Sequence, residues 1–116
     1  MIYSSKLKDA RQIAANYTYY YYKVIKKDIN LYVKSLLDAW SIANNNLELN
    51  LFNEQLRELV DFQLKGNIYK QVSSIVKKNK SLFYSKQSNA LMVELASIQG
   101  NTKKMKYWTR RVNKLQ

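Results

Sequence analysis

Apolar residues recur at spacings of three and four through most of this chain. Between residues 5 and 43, Ile13, Tyr17, Tyr21, Ile25, Ile29, Tyr32, Leu36, Trp40 and Ala43 keep this rhythm with no helix breaker among them. That is the spacing of one face of an α-helix. The pattern predicts one long helix, straight or kinked, with a break near the tyrosine cluster as the alternative. Ser4 or Ser5 is suited to cap it, because a serine hydroxyl accepts from a first-turn amide. The side chains of Tyr19-Tyr20-Tyr21-Tyr22 point all round such a helix, so two or three at most enter a core. Tyr20 and Tyr21, on the side of Tyr17 and Val24, are expected inside; Tyr19 and Tyr22 are expected at the edge or in solvent.

Asn44-Asn45-Asn46 predicts a turn, since asparagine bonds its own backbone and tolerates left-handed dihedrals. Leu47, Leu49 and Leu51 then alternate with Glu48 and Asn50, which suits a linker or helix lead-in, with a very short strand as the alternative. Asn53 is a candidate cap for a second helix to about residue 65, carrying Leu56, Leu59, Val60 and Gln63 in step with Phe52, and Gly66 suits its left-handed stop. Asn67 opens a third helix to about residue 79, with Ile68, Val72, Ile75 and Val76 as its buried stripe. A fourth, capped by Ser85 or Ser88, is apolar nearly all round, with Glu94 as its one acid, and is predicted to be central. After Gly100, Asn101 or Thr102 caps a fifth, in which Met105, Trp108, Val112 and Leu115 form a stripe that must pack on something.

These elements predict an all-α fold: a compact bundle of about five helices, one long N-terminal helix followed by four shorter ones, in a single domain over residues 1–116. The 116 residues are 47% hydrophobic, enough for one modest core, and the chain has no proline and two glycines. No internal repeat of fixed period is present, which argues against a solenoid. The N-terminal Met1-Ile2-Tyr3-Ser4-Ser5-Lys6 lacks an apolar signal region, and the longest clearly apolar run, residues 90 to 93, is far too short for a bilayer. The expectation is a cytoplasmic or virion-internal protein, not secreted and without a transmembrane segment.

Charge changes the picture more than size does. Twenty Lys and Arg face eight Asp and Glu, a net charge of +12, which attracts polyanions and makes nucleic acid the first partner to consider. AT-rich coding DNA, which raises Lys, Asn, Ile and Tyr together, is the alternative source of that composition. Cysteine and histidine are both absent, which removes disulfides, thiolate nucleophiles, the usual zinc ligands and the side chain best suited to proton transfer near neutral pH. There is no glycine-rich phosphate loop, no serine flanked by glycines and no paired-carboxylate motif. The chain is therefore expected not to be an enzyme and to need no cofactor or metal. Glu48, Glu54, Glu58 and Asp61 make the second helix acidic, a patch better suited to pairing with a basic face of the same or another copy than to holding a cation.

The charge is uneven: net +4 over residues 1–43, −2 over 44–66 and +10 over 67–116. On a helical wheel at ~100° per residue, Lys103, Lys104, Lys106, Arg110, Arg111 and Lys114 lie opposite the apolar stripe of the last helix. Tyr107 projects from the middle of that basic arc, where a ring flanked by cations suits stacking on an unpaired base beside phosphate contacts. A solvated lysine face with a half-exposed tyrosine is the alternative reading. Lys77, Lys78 and Lys80 crowd the end of the third helix, where positive charge complements the helix dipole. In the first helix Lys8, Asn16, Tyr19, Lys23, Lys26, Lys27, Asn30 and Lys34 share an arc of ~100°, and a rise of ~1.5 Å per residue would stretch Lys8 to Lys34 over ~39 Å, long enough to track several phosphates. The candidate site residues are Lys103, Lys104, Lys106, Tyr107, Arg110, Arg111, Lys114, Lys77, Lys78, Lys80, Tyr19, Lys23, Lys26 and Lys34.

In size, helicity and charge the chain resembles the helical small subunits of CRISPR effector complexes. That resemblance implies a non-enzymatic subunit of a nucleoprotein assembly, acting in defence against phage or mobile elements. The leading expectation is accordingly a subunit that contacts the phosphate backbone of DNA or RNA through basic helix faces and also contacts other protein subunits, copies of itself included. The alternative is a structural or adaptor protein, such as a small phage or virion component, acting through tyrosine-rich protein contacts. Binding to an anionic membrane surface, with the Trp108 stripe as the apolar side, ranks third.

Overall fold

The apolar rhythm continues past residue 25, yet the backbone turns there. The computed structural model describes residues 2–43 and 47–115. Among them stand seven α-helices and no strand: α1 (Ile2–Tyr20), which runs into a wide π-helical turn (Tyr21–Ile25), then α2 (Ile29–Ala43), α3 (Leu49–Asp61), α4 (Ile68–Lys78), α5 (Lys80–Phe83), α6 (Lys86–Ile98) and α7 (Thr102–Lys114). The all-α expectation is met, with more and shorter helices than the predicted five. Backbone contacts gather the chain into two compact units, Met1–Asn44 and Asn45–Gln116. The turn expected at residues 44 to 46 and the side chain of Lys8 lie outside the described residues.

The first unit is a pair of packed helices rather than one long helix. The Lys26 N–H donates to the Tyr21 carbonyl at 3.0 Å, five residues back rather than four, and the Asp28 N–H reaches the Tyr22 carbonyl at 2.9 Å. Lys27 takes φ +53°, the left-handed conformation that ends a helix. Asp28 Oδ1 then accepts from the Leu31 N–H at 3.1 Å, which caps α2. An aspartate cap with no glycine or proline beside it therefore ends what apolar spacing alone reads as continuous. Ser4 and Ser5 lie inside α1, which covers Ile2 onward, and not at its cap.

The π turn adds a residue to one helical turn and so shifts the face that later side chains occupy. Tyr32, Val33, Leu36, Leu37 and Trp40 of α2 are buried. On α1, Gln12, Ala15 and Tyr19 are half-buried, and the Tyr19 ring lies 6.3 Å from that of Tyr32, which identifies the side of α1 that meets α2. The predicted stripe is on the other side: Ile13 is 68% exposed and Tyr17 72%. Tyr20 is exposed and Tyr21 half-buried, while Tyr19, expected at the edge, is drawn against α2.

In the second unit α6 is central, touching α3, α4, α5 and α7. Its Leu91, Met92, Leu95 and Ala96 are buried with Phe52, Leu56 and Leu59 of α3, Val72 and Val76 of α4, Leu82 of α5 and Trp108 of α7. Ser85 Oγ accepts from the Ser88 N–H (3.2 Å) and caps α6, and Asn101 Oδ1 accepts from the Lys104 N–H (3.1 Å) and caps α7. Asn67 stands at the start of α4 without a side-chain cap bond. Asn53 is not a cap: α3 starts at Leu49, so the lead-in is helical instead of a strand, and Asn53 lies buried within it, accepting from Ser88 Oγ at 2.7 Å. The Arg57 guanidinium grips the Glu94 carboxylate through two bonds, of 2.8 and 2.7 Å, and the bond to Glu94 raises the Arg57 pKa above its ordinary value. Nearly half of each side chain meets solvent, so the pair contributes at most about 1 kcal/mol.

Replacing Lys27 by Gly should relieve the left-handed backbone and raise stability by up to about 1 kcal/mol, read as a higher urea midpoint at unchanged m. Ser88→Ala should cost about 1–3 kcal/mol in the same measurement, because it leaves the buried Asn53 Oδ1 without its donor.

Candidate nucleic-acid interface

The basic surface of the second unit is positioned by one tryptophan. Trp108 is fully buried, and its Nε1–H donates to the Tyr69 hydroxyl of α4 at 2.7 Å. The indole meets the Phe83 ring edge-to-face at 6.5 Å and the Tyr107 ring at 5.0 Å. With that side of α7 inside, Lys103, Lys104, Lys106, Arg110 and Lys114 are exposed, as expected. Lys77 and Lys78 at the end of α4 and Lys80 at the start of α5 are also exposed. Glu94 is the sole acid over residues 67–116, and Arg57 engages it. Among the described residues no ion pair ties these lysines or Arg110 to a carboxylate.

The fold joins α4 to the start of α7 in a way the helical wheel did not anticipate. An open groove of about 450 Å³ runs between them, lined by Lys70, Ser73, Ser74 and Lys77 of α4, by the α7 cap Asn101 and by Lys104 of α7, with Tyr69 beside them. Three lysines thus converge on one groove. Sequence reasoning missed Lys70, Ser73 and Ser74, although residues 70, 73, 74 and 77 are spaced as one helix face, opposite the buried Val72 and Val76.

Several predicted site residues are placed differently. Arg111 does not belong to the exposed arc: its Nε–H donates to Asn89 Oδ1 at 2.8 Å, an Nη2–H donates to the Phe83 carbonyl, and its guanidinium lies 3.4 Å from the Phe83 ring centroid. Asn89 in turn donates to the carbonyls of Phe83 and Ser85 at 2.9 and 2.7 Å, so Arg111 completes a polar knot that joins α7 to α5 and α6. Tyr107 is 38% exposed and does not project freely, because the Lys77 ammonium lies 5.2 Å from its ring centroid while Trp108 meets it edge-to-face. These contacts hold the ring in one orientation beside the groove.

The N-terminal basic stripe is not a continuous track. The chain turns at residues 26–28, which puts Lys34 on α2, Lys23 in the π turn and Lys26 at the reversal; the Lys23 ammonium lies over the Tyr32 ring at 5.5 Å. Tyr19 packs on that same ring and is no free platform. Residues 8 and 34 therefore lie on different helices, and no single helix carries a ~39 Å line of phosphate contacts.

No helix among the described residues is long and apolar enough to cross a membrane. Comparison with protein-family models, curated proteins and solved structures found no match.

The two neighbouring arginines should separate stability from surface charge. Arg111→Ala should cost about 1–3 kcal/mol by leaving the buried Asn89 Oδ1 without its donor, whereas Arg110→Ala should stay within about 0.5 kcal/mol. Thermal or urea unfolding of both variants measures the difference.

Proposed function

We propose that this chain is a non-enzymatic nucleic-acid-binding subunit of a larger nucleoprotein assembly, holding phosphate backbone on the surface formed by α4, α5 and α7. The observation that carries the reading is the convergence of Lys70, Lys77 and Lys104 on one groove, with Tyr107 held beside it by Lys77. Lys78, Lys80, Lys103, Lys106, Arg110 and Lys114 extend the positive surface. Lysine and arginine neutralise phosphates and release condensed counterions, and the exposed part of Tyr107 offers an aromatic surface to an unpaired base. Such an interface binds through charge and stacking and needs no base-edge readout.

The second reading is a structural or adaptor protein that works through protein contacts. The exposed Ile13, Tyr17 and Tyr20 favour it, since they follow one another at helical spacing on α1 and α2 packs against a different side, and Val24 in the turn that follows is exposed too. Large apolar side chains gathered on an exposed face mark an interaction surface more often than a solvated one. The two readings are compatible in a subunit that binds nucleic acid with its second unit and protein with its first.

Single- and double-stranded oligonucleotides should bind at low salt and dissociate steeply as salt rises. Changing Lys104, Lys106 and Arg110 together to Gln should weaken binding and flatten the slope of log K against log salt by about 2–3. Tyr107→Ala should weaken single strands more than duplex. Fluorescence anisotropy across a salt series reads all three effects, and a protein that binds neither form of nucleic acid at low salt refutes the proposal.

A further inference from the structure

The second unit sorts its acids and its cations onto different helices. Of its five carboxylates, Glu48, Glu54, Glu58 and Asp61 lie on α3 or at its start, and the fifth, Glu94, is engaged by Arg57. Glu54, Glu58 and Asp61 are spaced four and three apart, so they form one row along α3. The row lies opposite the buried Phe52, Leu56, Leu59 and Val60, with Glu54 and Asp61 exposed and Glu58 half-buried. On α7, Lys103, Lys106 and Arg110 are spaced three and four apart, all exposed and opposite the buried Trp108. Read from its C-terminal end, α7 therefore has the spacing of α3. Laid antiparallel, the two rows place Glu54 against Arg110, Glu58 against Lys106 and Asp61 against Lys103, each row spanning ~10.5 Å. No parallel alignment matches all three; setting Glu54 against Lys103, for example, puts Tyr107 where the second cation is needed.

We infer that the second unit binds a second copy of this chain, the α3 row of one copy lying antiparallel along the α7 row of the next. Both helices pack on α6 and turn these rows away from it, so the two rows of one copy cannot meet each other. The contact joins two different patches and therefore repeats head to tail, as a ring or an open chain. A phosphate chain needs only positive charge from α7, whereas the order of acids on α3 matches the order of cations on α7 residue by residue. Exposed ion pairs alone would leave such a contact weak. Leu51 and Phe62, exposed at the two ends of the acidic row, and Tyr107 beside the basic one add apolar area to it. Lys104 lies ~100° around α7 from Lys103, so the groove it shares with Lys70 and Lys77 stays outside the contact. The inference goes beyond the nucleic-acid reading and does not depend on it.

The test is sedimentation equilibrium of the full chain, freed of nucleic acid, at about 0.15 M salt, where long-range repulsion between net-positive copies is screened and contact pairs are not. The average mass should rise with concentration between about 10 μM and about 1 mM. Reversing either row, by Glu54→Lys with Asp61→Lys or by Lys103→Glu with Arg110→Glu, should weaken association by about tenfold, because two attractive pairs become repulsive. Mixing the two variants, or combining all four substitutions in one chain, should restore it. Lys104→Glu, in the groove, should leave it unchanged, and circular dichroism confirms that each variant is folded. A wild-type chain that stays monomeric up to about 1 mM overturns the inference. Association that survives both reversals, or that the combined variant fails to recover, overturns the pairing of these rows. Loss of association in Lys104→Glu as large as in the row reversals moves the contact to the groove and overturns it as well. None of these outcomes bears on oligonucleotide binding, so the nucleic-acid reading stands or falls separately.

Discussion

The second unit depends on how Trp108 is buried. α7 is a strongly charged helix whose one buried side chain is this indole, so its attachment rests on a large apolar ring with a polar N–H that must find an acceptor. Tyr69 supplies the acceptor at 2.7 Å. One hydrogen bond then does two things: it removes the cost of a buried donor, and it sets the rotation of α7 about its own axis. With that rotation set, Lys104 comes beside α4, Lys77 comes against Tyr107, and Lys103, Lys106, Arg110 and Lys114 turn to solvent.

Arg110 and Arg111 show how finely that rotation decides chemistry. They are neighbours in sequence with the same side chain, separated by ~100° around the helix. One meets solvent; the other lies on the Phe83 ring and satisfies Asn89, itself fully buried. A charge removed from the surface in this way lowers the positive field but supports the helix that carries the rest of it. The second unit therefore divides its cations between holding the fold and presenting a surface, and the groove gathers Lys70, Lys77 and Lys104 of the presenting set.

The first unit follows a different logic. Its two helices meet through a side of α1 that includes Gln12, Ala15 and Tyr19, while Ile13, Tyr17 and Tyr20 stay in solvent. The most apolar face of α1 is thus not the face its hairpin partner uses. That side of α1 carries small and polar-tipped side chains, and the exposed aromatics leave a surface with the character of a protein contact.

Much was legible in the chain itself. Helical spacing with almost no glycine and no proline determined the all-α class, and spacing within α3, α4 and α6 determined most of the core, because apolar positions three and four apart must share a face wherever the helix lies. The serine and asparagine caps of α6 and α7, and the concentration of charge after residue 66, were readable for the same local reason. The break after residue 25 was less so: its only local mark is Asp28, and the wide turn before it comes from a hydrogen-bond register that apolar spacing does not encode. What only the tertiary structure decided was which residues from different helices meet. Lys70 and Ser73 of α4 acquire their place beside Lys104 because Trp108 and Tyr69 bring the two helices together, and Arg111 leaves the basic surface because Asn89 and Phe83 lie within its reach. Periodicity assigns a side chain to a face of its own helix; the neighbour across that face is set by packing between segments far apart in sequence.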